Sequence, residues 1–212
     1  MMELAVSEAF QIPLDVVQRA SMFAGDIAEV AAIAKVKGKE GVLNLQFQLF
    51  RPIRLMMAQT AVDVSETLRE HEGKSAFEYK LDGARIQIHK LGDKVKVYSR
   101  RLTDVTESLP EVVQLIRDQV KAHKAILEGE VIAVSEDGSP MLFQHLMRRF
   151  RRVHDVEAMT KQIPIQLYLF DLLYLDGKSL TANPYLERRR KLEEISGNIS
   201  LTKQLITTDP KE

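Results

Sequence analysis

The chain has 212 residues with 30 basic and 30 acidic side chains, and the zero net charge excludes a strongly basic nucleic-acid module, though not a local basic stripe. A hydrophobic fraction of 45% fits a folded protein with a sizeable core and excludes a disordered tail. The absence of cysteine excludes disulfides, thiolate metal sites and cysteine nucleophiles.

Residues 2 to 35 read as helix in three pieces, MELAVSEAF, IPLDVVQRASMF and DIAEVAAIAK, with Asp26 as a cap before the third. They are short and alanine-rich, so they are expected to bury little apolar surface by themselves and to lean on a neighbour. The Lys37-Gly38-Lys39-Glu40-Gly41 patch reads as a loop ending the helical period. The pattern then changes to strands. LNLQFQLF alternates over Leu43 to Phe50, followed by SAFEYK, ARIQIH, KVKVYS, AILEGEVIAV and IQLYLFDLLYL, with a last strand through Ile199 to Ile206. Helical periods intervene over Leu109 to Lys121, Phe143 to Arg152 and Pro184 to Ser196. FEYKLDGARIQIH reads as a hairpin, which favours antiparallel pairing with helices outside. The expected class is α+β.

Polar residues inside strand patterns are costly unless paired, and they are the candidates for chemistry. Glu78 and Lys80 stand two apart and share a strand face, and Arg85 opens the next strand beyond the Asp82-Gly83 corner. Arg100 ends KVKVYS, Glu128 and Glu130 share a face of AILEGEVIAV, and Phe170-Asp171 interrupt an almost wholly apolar run. Each residue alone also fits a plainer role: Asp82-Gly83 as a hairpin turn, the charges as structural ion pairs, Phe170 as core. Two arginine clusters stand out. RRFRR holds Arg148, Arg149, Arg151 and Arg152, whereas ERRRK, from Glu187 to Lys191, reads as a solvated helix face.

Lys80-Leu81-Asp82-Gly83 with Arg85 resembles the nucleotidyl-lysine motif of covalent nucleotidyltransferases. The further motifs follow in that family's order. Ser99-Arg100-Arg101, Glu128-Gly129-Glu130 and Tyr168-Leu169-Phe170-Asp171 resemble its next three, PIRLMMAQ (Pro52 to Gln59) its proline-methionine segment, and FQHLMRRF its basic segment. Leu55 and Met57 depart from the more usual proline and leucine, conservatively in bulk. Together with the helices before Phe50, these resemble the ATP-dependent DNA ligases of archaeal and eukaryotic type.

The resemblance implies an ATP-grasp-like adenylation domain over residues 50–212, preceded over 1–49 by the end of a helical DNA-binding domain. It implies Lys80 as the residue that takes AMP from ATP, with Asp82 near the scissile phosphate and Arg85 and Arg100 on ribose and phosphate oxygens. Glu130 would hold a ribose hydroxyl and a Mg2+ ion, Glu78 the exocyclic amine of adenine, and Phe170 the face of the base. Burial or a nearby cation would lower the affinity of Lys80 for its proton and Asp82 and Glu130 would raise it, so the residues leave that direction open. Gly83 is expected to permit the turn and the approach of the nucleotide.

Nicked duplex DNA is the implied partner, with a sliding clamp reached through the full-length protein. The implied setting is cytoplasmic, beside chromosomal DNA, since no apolar run reaches membrane-spanning length and the first residues lack a signal pattern. The family's later glutamate-glycine and lysine-pair motifs, its OB-fold domain and the beginning of its helical domain are not found in the 212 residues. The resemblance therefore implies a fragment, with little or no nucleotide transfer and no nick sealing alone. The alternatives are an RNA ligase or mRNA-capping type of nucleotidyltransferase, and a non-catalytic module that binds DNA or a clamp.

Overall fold

The computed structural model describes residues 1–55, 58–150 and 156–212, so Met56, Met57, Arg151 and Arg152 of the motifs above lie outside the described residues. Three helices open the chain: α1 (Met2–Phe10), α2 (Leu14–Ala24) and α3 (Ile27–Leu43). Asp26 caps α3 as expected, its carboxylate accepting from the Ala28 amide at 2.9 Å. The lysine-glycine patch is not a loop. Helix α3 continues through it to Leu43, with a non-helical kink at Gly38 where φ is 60°. The three helices also close a small core of their own, built on Val6, Ile12, Val17, Ala20, Val30 and Val42.

The expected strand over Leu43 to Phe50 does not form. Its residues end α3 and then run as an irregular connector. Alternation alone cannot make a strand without a partner edge, and here side chains take the place of that edge. Phe47 packs between Phe23 of α2, ring centroids 4.2 Å apart, and Tyr174, at 6.2 Å edge-on. Arg51 makes a bidentate ion pair with Glu29, tying the connector back to α3.

Next comes α4 (Val64–Glu70), which periodicity over so short a stretch did not announce. Its signal was the cap: Asp63 accepts from the Glu66 amide at 2.7 Å while the Glu66 carboxylate accepts from the Val62 amide at 2.5 Å. The chain continues through β1 (Ser75–Glu78), β2 (Ala84–Leu91), β3 (Lys94–Ser99), α5 (Pro110–Gln119) and β4 (Lys124–Ala133). Then follow α6 (Phe143–Phe150), α7 (Val156–Gln162), β5 (Ile165–Leu175), β6 (Lys178–Ser179), α8 (Tyr185–Ile195), β7 (Ser200–Leu201) and β8 (Gln204–Thr207).

The fold is α+β, with antiparallel sheets flanked by helices. Six strands form the main sheet in the order β3-β2-β4-β5-β6, all antiparallel, and β7 adds to β5 in parallel. The FEYKLDGARIQIH hairpin is not present. Strand β1 leaves this sheet and pairs with β8, Ser75 opposite Thr207 and Glu78 opposite Gln204. The reason is that a strand has two hydrogen-bonding edges, and β3 and β4 already occupy both edges of β2. Ile86 and Ile88 of β2, Leu127 and Val131 of β4, and Leu169 and Leu172 of β5 turn into the main core, sealed by α5, α6 and α8 through Ile116, Leu146 and Leu192.

Candidate functional site

The other face of the central strands carries the polar residues. Period-two alternation in RIQIH sends the isoleucines into the core and Arg85, Gln87 and His89 to the opposite face, which is also covered. The register then sets Arg85 opposite Glu130 and Gln87 opposite Glu128. Arg85 donates from Nε to Glu128 Oε2 at 2.8 Å, and its guanidinium carbon lies 5.2 Å from the centroid of the Phe170 ring. Glu128 is 1% exposed, and burial pushes its carboxyl above the usual range against the pull of Arg85 and Gln87. Glu130 is pushed up by burial too, opposed by Lys80, Arg85 and the Gly83 amide, with Asp82 adding to the rise.

The corner carrying Lys80 is docked on β4. Gly83 does not have a left-handed φ, so turn permissiveness is not its purpose. A Cβ there would lie 2.4 Å from the Val131 carbonyl oxygen and 2.9 Å from Glu130 Cγ. The close approach that requires glycine is thus to the neighbouring strand. The same holds for Gly129, where a Cβ would lie 2.9 Å from the Tyr168 carbonyl oxygen on β5. Lys80 itself stands beyond the end of β1, exposed, its Nζ donating to the Leu81 carbonyl at 3.0 Å, so it does not share a strand face with Glu78.

Glu78 closes β1 under α8. The Tyr185 hydroxyl donates to Glu78 Oε1 at 2.5 Å, with the Gln204 side-chain amide 3.0 Å from the same hydroxyl, while Arg189 Nη1 reaches Glu78 at 3.5 Å. Burial, then Glu78, raises the Tyr185 hydroxyl well above its ordinary value, so it stays protonated as a donor. Asp171 receives Arg188 through two bonds of 2.8 and 3.0 Å. The ERRRK run is therefore not a plain solvated face. Arg188 and Arg189 turn inward and only Arg190 of the three arginines is exposed.

The RRFRR run divides likewise. Arg149 is 2% exposed, holds Glu111 in a bidentate pair and donates to the Ile163 carbonyl at 3.1 Å, whereas Arg148 is exposed.

Lys80, Asp82, Arg85, Glu130 and Phe170 thus lie close to one another, while Glu78 is held by Tyr185 and Arg189 of α8. Arg100 is apart, exposed in the turn that follows β3, and makes no hydrogen bond or ion pair with these residues among the described ones. Sequence reasoning missed Tyr185, Arg188, Arg189, Gln87 and His89. Only the last two left a signal, as polar residues alternating with isoleucine in a strand.

The family described as ATP dependent DNA ligase domain matches residues 55–212. The chain belongs to that family. It is 46% identical over 211 residues to the DNA ligase of Thermococcus fumicolans, covering 98% of this chain and 38% of that protein. Against the DNA ligase of Methanopyrus kandleri it is 47% identical over 215 residues, covering 99% and 38%. The crystal structure of the ligase domain from M. tuberculosis LigD shares 29% identity at a TM-score of 0.48, over 61% of this chain and 39% of that one. The ligase chain is thus of the archaeal and eukaryotic type, and it spans 38% of the length of these two curated relatives.

Among the described residues no helix is long and apolar enough to cross a membrane. No cluster of three or more acidic or histidine side chains among them could cage a metal ion. A Mg2+ ion does not need one, since it keeps several waters and binds through one or two carboxylates with substrate phosphates. Glu130, a carboxylate beside Lys80 and Arg85, is of the chemistry that fits that use.

Proposed function

We propose that this chain carries the nucleotide-transfer site of a DNA ligase, with Lys80 as the covalent nucleophile and nicked duplex DNA as the final substrate of the whole protein, while the 212 residues alone transfer little or no nucleotide and seal no nick. The observation that carries the reading is the docking of the Lys80-Gly83 corner against Glu130, with Arg85 on the adjacent strand. The amine of Lys80, having given up a proton, forms a bond to the α-phosphorus of ATP as the bond to pyrophosphate breaks. AMP next passes to the 5′-phosphate at the nick, releasing Lys80, and the 3′-hydroxyl then displaces AMP to close the backbone.

Around that reaction Arg85 orients phosphate or ribose oxygens through its fixed donor fork, and Asp82 faces the reacting phosphate. Glu130 holds a ribose hydroxyl and is the residue for Mg2+, which when bound would neutralise phosphate charge. Glu78, held as an acceptor, takes the exocyclic amine of adenine, and Phe170 stacks on the base. Arg100 would reach the nucleotide or the DNA 5′-phosphate only as the substrates assemble. The helices of residues 1–49 are read as part of a DNA-binding domain, and a sliding clamp as a partner of the whole protein near chromosomal DNA in the cytoplasm.

The test is incubation of a protein carrying this chain with α-labelled ATP and Mg2+, followed by peptide mapping. Label on Lys80, absent in Lys80→Ala, is expected. Label on another residue would overturn the site.

A further inference from the structure

Beneath Arg85 lies a chain of buried polar side chains that the proposed chemistry does not use. Gln87 is 2% exposed and His89 is fully buried. The Phe50 amide donates to His89 Nδ1 at 2.9 Å, which leaves the proton on Nε2, and Nε2 donates to Gln87 Oε1 at 2.8 Å. The same Oε1 accepts from the Ile53 amide at 2.7 Å. On its other side, Gln87 Nε2 donates to Glu128 Oε1 at 2.7 Å and to the Ile53 carbonyl at 3.3 Å. All four hydrogen-bonding capacities of the amide are filled, and flipping it would set donor against donor at Ile53 and acceptor against acceptor at Glu128. Its orientation is therefore fixed.

The segment this chain grips is the connector, where no strand partner exists. Phe50 has φ of 69°, an uncommon conformation for a bulky residue that the surroundings must hold in place. Its amide is taken by His89, its carbonyl by the Tyr98 hydroxyl at 2.8 Å, and its ring by the Lys94 ammonium 4.3 Å from the centroid. One residue further on, Arg51 is paired with Glu29 of the helical unit. At the other end of the chain, Glu128 fixes Arg85 beside Phe170. The hydrogen bonds run without a break from the connector to Arg85.

We propose that Gln87 and His89 are positioning residues that lock the Phe50–Ile53 connector to Glu128, so that the seating of the helical unit and the presentation of Arg85 to the nucleotide are coupled. This rests on the reading of the Lys80, Arg85, Glu130 and Phe170 cluster as the ATP site. Low local dielectric strengthens such a fully satisfied chain and makes any gap in it costly, so the effect of cutting it should reach both ends.

The experiment measures ATP binding by calorimetry and amide exchange at Phe50 and Ile53 in the wild-type chain and in Gln87→Met, with and without Arg85→Ala. We expect Gln87→Met to speed exchange at both amides and to weaken ATP binding about tenfold. In the Arg85→Ala background the weakening should shrink to less than about twofold, because residues in one hydrogen-bonded network are not additive. A purely structural role for Gln87 would lower the melting temperature yet leave equal effects on ATP in both backgrounds, and that result overturns the coupling.

Tyr98→Phe is the milder second variant, since it cuts only the clamp on the Phe50 carbonyl. Faster exchange at Phe50 with unchanged ATP affinity would also overturn the coupling. A wild-type chain that binds no ATP would overturn the reading of that cluster as the ATP site, and the inference with it, whereas wild-type binding matched by Gln87→Met overturns the inference alone.

Discussion

Tyr185 of α8 donates its hydroxyl proton to Glu78 of β1 at 2.5 Å, across 107 residues of sequence. With Arg189 at 3.5 Å on the same carboxylate oxygen, it holds the Glu78 carboxylate in a fixed orientation. An acceptor of fixed orientation is what distinguishes adenine, which offers an amine, from guanine, which offers a carbonyl at that place.

Tyr185→Phe should therefore reduce base discrimination more than overall affinity. A site whose polar group loses its support rejects the wrong partner less well, and one hydrogen bond is worth about 1 kcal/mol. We expect the ratio of ATP to GTP affinity to fall by about three- to tenfold. Competition titration measures it, and an unchanged ratio would remove Glu78 from base recognition.

The two arginines of α6 should behave oppositely. Arg149 is buried and bonded to Glu111 and the Ile163 carbonyl, so Arg149→Met should cost about 3 kcal/mol in denaturant unfolding by leaving those groups unpaired. Arg148 is exposed, and Arg148→Ala should leave stability unchanged while lowering the slope of log affinity for DNA against log salt by about one. An unchanged slope would make Arg148 a solubilising residue only.

Acid should loosen the connector through His89. Burial lowers its pKa from 6.5 to about 4, so between those values the unfolded chain binds the extra proton and the folded chain does not. Stability from this group is thus complete above pH 6.5 and is lost as pH falls towards 4, by roughly 3 kcal/mol in all. Glu128 and Glu130, raised by burial, work in the opposite sense, because protonation relieves their cost. The measurement is the difference in unfolding free energy between wild type and His89→Gln from pH 7 to 4. A difference that does not change with pH would show that His89 is not buried as a neutral acceptor.

What the sequence determined by itself was local. Short-range chemistry announced the cap at Asp26, the breaks at Asp82-Gly83, the strands of RIQIH and LEGEV and the order of the ligase motifs. The mixed α+β class followed from those elements, and so did the nearness of Lys80, Asp82 and Arg85, because a corner of adjacent residues keeps them together wherever the strands pair.

Tertiary structure decided the partners. Strand β1 joins β8 because β2 has no free edge, and the alternating run at Leu43 to Phe50 stays irregular because no strand lies beside it. Arg149 and Arg189 are buried, and Arg190 is not, although all three lie in arginine clusters. Gln87 reads as an ordinary polar strand residue until Ile53, 34 positions earlier, and Glu128, 41 positions later, are folded onto it. A buried polar group is defined by what satisfies it, and for these residues the satisfying atoms lie far along the chain, where no local pattern can record them.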